Sequence, residues 1–298
     1  MQDARPESFA KARQADALLN AMSVDIEDWF QVGAFETVID RGDWDRLDHR
    51  VERNSEAVLA LFDEAGIKAT FFVLGWVAER YPALMRQIVA AGHEIASHGY
   101  DHARVFTLSP DQFRADLDRS RKLLEDSSGE KVTGYRAPSF SIDQRTPWAH
   151  EILAEQGYEY SSSVAPIYHD HYGWAGSPRF AWKPVAQSDF IELPVTTVKL
   201  GSRILAAGGG GFFRLLPYAL YERSIRKMQR EDGHGAIFYF HPWEIDPDQP
   251  RVKNAPVRSK IRHYSNLKVM RAKLLRATED FKWGRVDELA ALEAELLQ

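Results

Sequence analysis

Four times along the chain an amphipathic stretch closes on a small or polar residue and a glycine, and a short β-branched or aromatic run follows. The phrases are EAG before IKATFF (Gly66), AAG before HEIAS (Gly92), EQG before YEYSS (Gly157) and EDG before HGAIFYF (Gly233). Each glycine stands where the residue after a helix takes positive φ, so the phrase predicts a helix followed by a strand. Helix starts carry their own marks: Ser109-Pro110-Asp111-Gln112 and Thr146-Pro147 each set a capping hydroxyl before a proline at the first helical position. Strands are predicted to end near Asp25, Val73, Ser97, Tyr135, Ser161, Leu193 and Phe240. Strands alternating with helices in this way predict a parallel α/β sheet or barrel and not an antiparallel sandwich.

Two stretches break the rhythm. Residues 165–189 and 201–211 carry Gly, Pro and aromatics without periodicity and read as long loops of the kind that cover or line a site. The tail divides into a basic segment, 251–276, and an amphipathic helix from Val286 to Leu297, expected on the outside of the body.

Composition narrows the classes. The 298 residues are 44% apolar and 27% charged, a globular balance that excludes disordered and fibrous chains. That length serves one α/β barrel or two smaller domains. With 38 Lys and Arg against 43 Asp and Glu the net charge is -5, and the charges read as interspersed, so neither a nucleic acid nor an anionic membrane is implied as a partner. Cysteine is absent, which excludes disulfides, thiolate catalysis and Cys-held metal; any metal must rest on His and carboxylate. No apolar run approaches the roughly 20 residues of a membrane span. Residues 1–20 lack the apolar core of a signal peptide, so the expected location is cytoplasmic, or periplasmic had a leader been removed.

Four places can carry chemistry. In SHGYDH (97–102) His98 and His102 stand four apart after a strand, a spacing that can put two imidazoles on one zinc, cobalt, nickel or iron ion. In isolation, two capping or surface histidines would look the same. Asp25-Ile26-Glu27-Asp28-Trp29 sets three acids at the end of an apolar strand, where they repel and lose hydration unless a cation or Arg stands near. The plain alternative is a solvated turn with Asp28 as a cap. Arg136, in GYRAPSF (134–140), can hold a carboxylate by a bidentate bond, and alone would more often form a structural ion pair. His241 ends the apolar run of IFYFHPWE (237–244), a position usually filled by a structural His. Their common address changes the reading. Asp25, His98, Arg136 and His241 each follow a different predicted strand at its C-terminal end, the face where α/β barrels and sheets build sites. A cation site, a base, an Arg to orient it and an acid are the roles needed for metal-assisted hydrolysis.

Taken in order, the acidic motif of the first strand, GHEIASHGYDH, YRAP and FYFHPWE resemble the polysaccharide deacetylase pattern (NodB homology, carbohydrate esterase family 4) over residues 21–245. GGGGFFRLLPY (208–218), FHPWEID (240–246) and HYSNLKVMRAKLLR (263–276) further resemble a subgroup found with exopolysaccharide and exosortase (PEP-CTERM) loci. The resemblance implies a distorted (β/α)7 barrel over 21–245, after an extension of 1–20 and before a C-terminal helical extension of 246–298 packed on the barrel. It also implies one divalent metal, zinc with cobalt or nickel as substitutes, and removal of acetyl from an N-acetylated amino sugar in a polysaccharide or its biosynthetic intermediate. It makes Asp25 the base, His98 and His102 metal ligands, Arg136 the residue orienting the base and His241 the general acid. The family's adjacent acid pair is spaced here as DIED, which leaves the third ligand open between Asp28 and Glu27. Strand alternation sets Glu27 on the side of Asp25, and a turn could return Asp28. Relatives tend to carry an Asp near Tyr160-Ser161-Ser162-Ser163 that helps position the acid, a charge Ser161 cannot supply.

Trp29, Pro138, Phe140, His169, Tyr172, Trp174 and Trp243 are candidates for a sugar platform, since flat aromatics stack on apolar sugar faces. His169 and His171 could also form a second metal site. Three other readings compete: a non-haem iron oxygenase, which uses two His and a carboxylate but in β-rich scaffolds; a saccharide-binding protein without catalysis; and an allantoinase-like, metal-independent amidohydrolase acting on a small cyclic amide. The sequence assigns no oligomeric state.

Overall fold

The repeated phrase folds as a parallel barrel. In the computed structural model, which describes residues 17–168 and 173–298, β1 (Asn20–Ile26), β2 (Thr70–Val73), β3 (Glu94–Ser97), β4 (Gly134–Tyr135), β5 (Tyr160–Ser161) and β6 (Ile191–Glu192) pair in chain order, all parallel. An antiparallel hairpin follows, β7 (Thr197–Leu200) with β8 (Arg203–Ala206). β9 (Ile237–Phe240) runs parallel to β1, and the two-residue β10 (Trp283–Gly284) pairs with the start of β1. Between β6 and β9 single bonds complete the ring: Ile237 N donates to Thr196 Oγ1 at 2.6 Å and Tyr239 N to Gly208 O at 2.7 Å. A Cβ at Gly208 would collide with the Ile237 carbonyl, so this closure requires glycine.

Side-chain alternation along β1 sorts two cores. Met22, Val24 and Ile26 point outward into the layer shared with the surrounding helices. Ala21 faces inward beside Phe72, Ala96, Tyr160, Ile191 and Ile237, an apolar floor. The next residues of the same parity are the buried polar Ser23 and Asp25. The barrel is thus apolar below and polar toward the C-terminal ends of its strands.

Local signals place the helices. Helix Pro110–Ser128 begins with a capping box in which Gln112 N donates to Ser109 Oγ at 3.2 Å and Ser109 N donates to the Gln112 side chain at 2.8 Å. Thr146 instead closes a turn with Asp143, and the next helix, Ala149–Glu155, starts later than its proline suggested. Residues 201–211 are not a loop: they hold the hairpin turn, β8 and the first turn of helix Gly210–Leu215. Periodicity failed there because Leu200, Ile204 and Leu205 are all exposed, so no buried face imposes alternation. Within 165–189 the described residues form neither helix nor strand, apart from a bridge between Trp182 and Glu192. The basic segment contains helices Val257–Tyr264 and Leu267–Asp280. Helix Val286–Leu296 packs one face against the bottom of the barrel and leaves Leu292 and Leu296 exposed on the other. Its Val286, Leu289 and Ala290 join the inward apolar cluster, because β10 leads the chain across the bottom of the barrel.

Glu94, at the foot of β3, accepts hydrogen bonds from Thr70 Oγ1 and from Tyr160 OH. Burial, and then the charge of Asp287, push its carboxyl up to about 8 against the pull of those bonds. A raised folded value means that the stability is fully present below the unfolded value near 4.5 and is lost as pH rises through about 8. Glu94→Gln is therefore expected to gain on the parent protein as pH rises across that window, read from thermal melts. A stability difference constant with pH would remove Glu94 from the account.

Candidate active site

The parity that turns Asp25 into the barrel also carries Glu27 inward, one residue past the end of β1. Arg136 follows β4, and its Nη1 donates to Asp25 Oδ1 at 2.7 Å with both side chains buried. A buried guanidinium is costly unless its donors are met, and here they are. Nη1 also reaches Ser23 Oγ at 2.8 Å, Nε donates to Ser162 O at 3.1 Å, Nη2 donates to Ser162 Oγ at 3.0 Å, and the group lies 4.0 Å over the Phe72 ring.

The SHGYDH loop is fixed from below. Gly75 N and Trp76 N, at the start of helix Gly75–Arg80, donate to the carbonyls of Gly99 and Tyr100 at 2.8 and 2.9 Å. Gly99 makes the turn at φ +73°, and His102 sits at φ +60°, a conformation uncommon outside glycine that the surroundings must hold. His98 Nδ1 bonds to Arg136 O at 2.8 Å, which sets the ring and leaves Nε2 as the free nitrogen. The two imidazole centroids are 5.5 Å apart.

Glu27 joins this pair to the last motif. Its Oε1 lies 2.8 Å from His241 Nε2, and its Oε2 lies 3.2 Å from His102 Nε2. The second contact lacks hydrogen-bond geometry, so Oε2 is buried without a hydrogen bond. Behind His241, Nδ1 pairs with Glu244 Oε1 at 3.0 Å, and Glu244 Oε2 accepts from Arg214 Nε at 2.7 Å. Trp243 stacks on His241 at 5.0 Å and on His263 at 4.0 Å between centroids. Burial lowers His98, and it holds His102 down to about 4. Burial alone would raise Glu27, but the neighbouring His102 and His241 bring it to about 2. His241 shows the reverse: burial would lower it, and the Glu27 and Glu244 carboxylates push it up to about 10. Burial thus favours neutral His98 and His102, while the facing charges favour an ionised Glu27 beside a protonated His241.

Several expectations need correction. Asp28 does not face the histidines: its Oδ2 accepts from Arg50 N at 2.6 Å and Val51 N at 3.0 Å, and its Oδ1 from Trp29 N at 2.8 Å. It caps helix Val51–Ala65 and the following turn, the plain reading of that residue. Trp29, Pro138, Phe140 and Trp243 are buried and offer no sugar platform. Trp29 Nε1 donates to Asp48 O at 2.9 Å, and Phe140 packs edge-on against Tyr239 at 4.7 Å. Trp174 is half-buried in the 165–189 loop, while His169, His171 and Tyr172 lie outside the described residues. Ser161 Oγ donates to Ser163 Oγ at 2.7 Å, in the network around Arg136. The carboxylate on the Nδ1 side of His241 is Glu244, a role sequence reasoning missed. Its signal was present: a Glu two residues after Pro242 is the pattern of a capping box, and here the His241 backbone N donates to it at 3.1 Å. Arg214 had a signal too, as the one charge in the apolar run GGGGFFRLLPY.

Among the described residues no three His, Asp or Glu side chains form a ready cage at coordination spacing, since Glu27 is drawn to His241. The donor set nevertheless fits a divalent ion. It consists of a buried carboxylate oxygen without a hydrogen bond, an imidazole 3.2 Å from it and a second imidazole oriented through its far nitrogen.

Residues 39–161 match the polysaccharide deacetylase family. Residues 162–291 match a domain of unknown function, DUF3473. The border falls within the barrel, so the deacetylase segment supplies His98, His102 and Arg136 while the second supplies Arg214, His241 and Glu244. Similar proteins include the peptidoglycan deacetylase of Helicobacter pylori, 34% identical over 107 residues (36% of each chain). Another is the chitooligosaccharide deacetylase of Azorhizobium caulinodans, 32% identical over 154 residues (51% of this chain, 66% of the other). The chain spans about a third of the length of several curated relatives it matches. A crystal structure from Mycobacterium smegmatis assigned as a polysaccharide deacetylase superposes with a TM-score of 0.63 at 21% identity, covering 95% of this chain and 93% of that one, which shows a deacetylase-type barrel.

Proposed function

We propose that the chain hydrolyses the acetamide of an N-acetylated amino sugar within a glycan, with a divalent ion, zinc by preference, at Glu27, His98 and His102. One observation carries this reading: Asp25 and His98, both bonded to Arg136, and the series His102, Glu27, His241 and Glu244 meet at one end of one barrel, with the His98 and His102 rings 5.5 Å apart. Relatives named for peptidoglycan, chitin and chitooligosaccharides share an acetamido sugar as their common chemistry. The likeness of 208–218 and 263–276 to the exopolysaccharide-locus subgroup favours an exopolysaccharide or its precursor as the glycan.

The bound ion would supply Lewis-acid polarisation of the acetamide carbonyl and of a water molecule. Asp25, held by Arg136 through Oδ1, accepts the proton of the attacking water. His241 gives its proton to the nitrogen as the C–N bond breaks, and acetate and the free amine leave. A cation would meet Glu27 Oε2, which is buried without a hydrogen bond 3.2 Å from His102 Nε2, and the metal-independent and non-catalytic readings give that oxygen no such role.

Elemental analysis beside acetate release from N-acetylated chitooligosaccharides tests the proposal. The purified protein should carry about one zinc or similar ion per chain, and a His98→Ala/His102→Ala variant should lose both ion and activity. A protein that binds no zinc, cobalt or nickel and still releases acetate in chelator would sink the metal assignment.

A further inference from the structure

Charge is not evenly spread over this molecule. Two stretches, 193–221 and 250–278, contain no Asp or Glu and hold twelve of the 38 Lys and Arg residues in a chain of net charge -5. The fold joins them. Arg214 Nη2 and Nη1 donate to the carbonyls of Arg262 and His263 at 3.2 Å, Asn266 Nδ2 donates to Arg214 O at 3.1 Å, and Lys273 Nζ donates to Leu216 O at 2.7 Å.

The two stretches also expose large apolar side chains: Leu200 is 69% exposed, Val257 68% and Ile261 59%, with Leu205, Phe212 and Leu215 between 42% and 49%. Exposed Lys199 and Arg203 neighbour Leu200 and Leu205 in sequence, and exposed Lys253, Arg258 and Arg262 neighbour Val257 and Ile261. Helix Val257–Tyr264 shows the arrangement most directly. Val257, Arg258, Ile261 and Arg262 form one exposed face, while His263 turns inward onto Trp243, which in turn stacks on His241. Phe212 lines a cleft with Ile167, Ala206 and Tyr239, and the Tyr239 ring is 5.9 Å from that of His241. The apolar and cationic lobe therefore borders the mouth of the barrel.

Large aliphatic side chains are rarely left in water at such density, and interleaved with cations they make the composition of an interfacial lipid-binding face. A nucleic acid would use the cations and gain nothing from Val257 or Ile261, and a second copy facing this lobe would set cation against cation. We propose that this lobe seats the protein on an anionic lipid bilayer, with the barrel mouth beside the membrane surface. The inference does not depend on the reaction assigned to the site.

Co-sedimentation of the full chain with phosphatidylcholine vesicles, with and without phosphatidylglycerol, tests it. Binding should require the anionic lipid and weaken in high salt. Lys253→Gln, Arg258→Gln and Arg262→Gln should each weaken partitioning about fivefold. Val257→Ser/Ile261→Ser should weaken it further with the melting temperature unchanged, since those side chains touch solvent. Three results would overturn the proposal: no binding to anionic vesicles, equal capture by a soluble polyanion with no dependence on Val257 and Ile261, or a concentration-dependent dimer abolished by the Ser variant in place of vesicle binding.

Discussion

Asp25→Asn is expected to lower acetate release by about 10²–10⁴-fold, the range contributed by a positioned general base, with bound metal and KM close to the parent values. The substitution keeps size and keeps an oxygen for Arg136 Nη1, which now stands 2.7 Å from Oδ1. It removes the group that can take a proton from water. It also leaves Arg136 without its counter-charge, but Ser23 and Ser162 still accept from the guanidinium, so the fold should survive with a lower melting temperature. Steady-state kinetics on N-acetylated chitooligosaccharide, beside a metal assay on the same preparation, separates the two losses. If kcat stays within about tenfold of the parent while the metal is retained, Asp25 is an ion-pair partner and not a base. A tenfold higher KM with unchanged kcat would likewise place it in binding and not in proton transfer.

The residues at strand ends were legible because period and parity are local. The extent of an apolar run fixes where a strand stops, a preceding glycine in four cases marks where it starts, and a barrel then delivers each following residue to the same rim. That logic places Asp25, His98, Arg136 and His241 on one rim from the sequence alone. Parity also favoured Glu27 over Asp28 as a partner for the histidines, although the sequence could not exclude a turn. The turn exists and does something else: it folds Asp28 back to cap the backbone of residues 50–51. The aromatics were misread because burial is not local. Trp29, Phe140 and Trp243 look alike whether they face a sugar or a core, and only the packing of distant segments decides. The same limit hid Arg214 and Glu244, separated by thirty residues and joined only once helix Gly210–Leu215 docks beside β9. The basic character of 251–276 was visible in the sequence, but the whole-chain charge of -5 made the charges read as interspersed, and only the fold joins this segment to the equally acid-free 193–221.

Arg214→Met is expected to cost about 3–5 kcal/mol, the penalty for stranding one member of a buried ion pair. Arg214 and Glu244 are each 1% exposed, and their contact is 2.7 Å. Gly210 makes the fit possible, since a Cβ there would press into the Glu244 carboxylate. Without the guanidinium, Glu244 keeps only His241 as a charged neighbour, and the carbonyls of Arg262, His263 and Ser265 lose their shared donor. Part of the cost therefore comes from the charge and part from the carbonyls, and a second variant divides them. In Arg214→Met/Glu244→Gln the stranded charge is gone while an amide oxygen can still accept at His241 Nδ1, so the double variant should be more stable than Arg214→Met alone. Denaturant unfolding of parent, both single variants and the double closes the cycle. Strict additivity would show that the two side chains act independently and that Arg214 serves only as a peg for the 262–265 backbone. A double variant more stable than the single one shows that Arg214 is there for the carboxylate that holds His241.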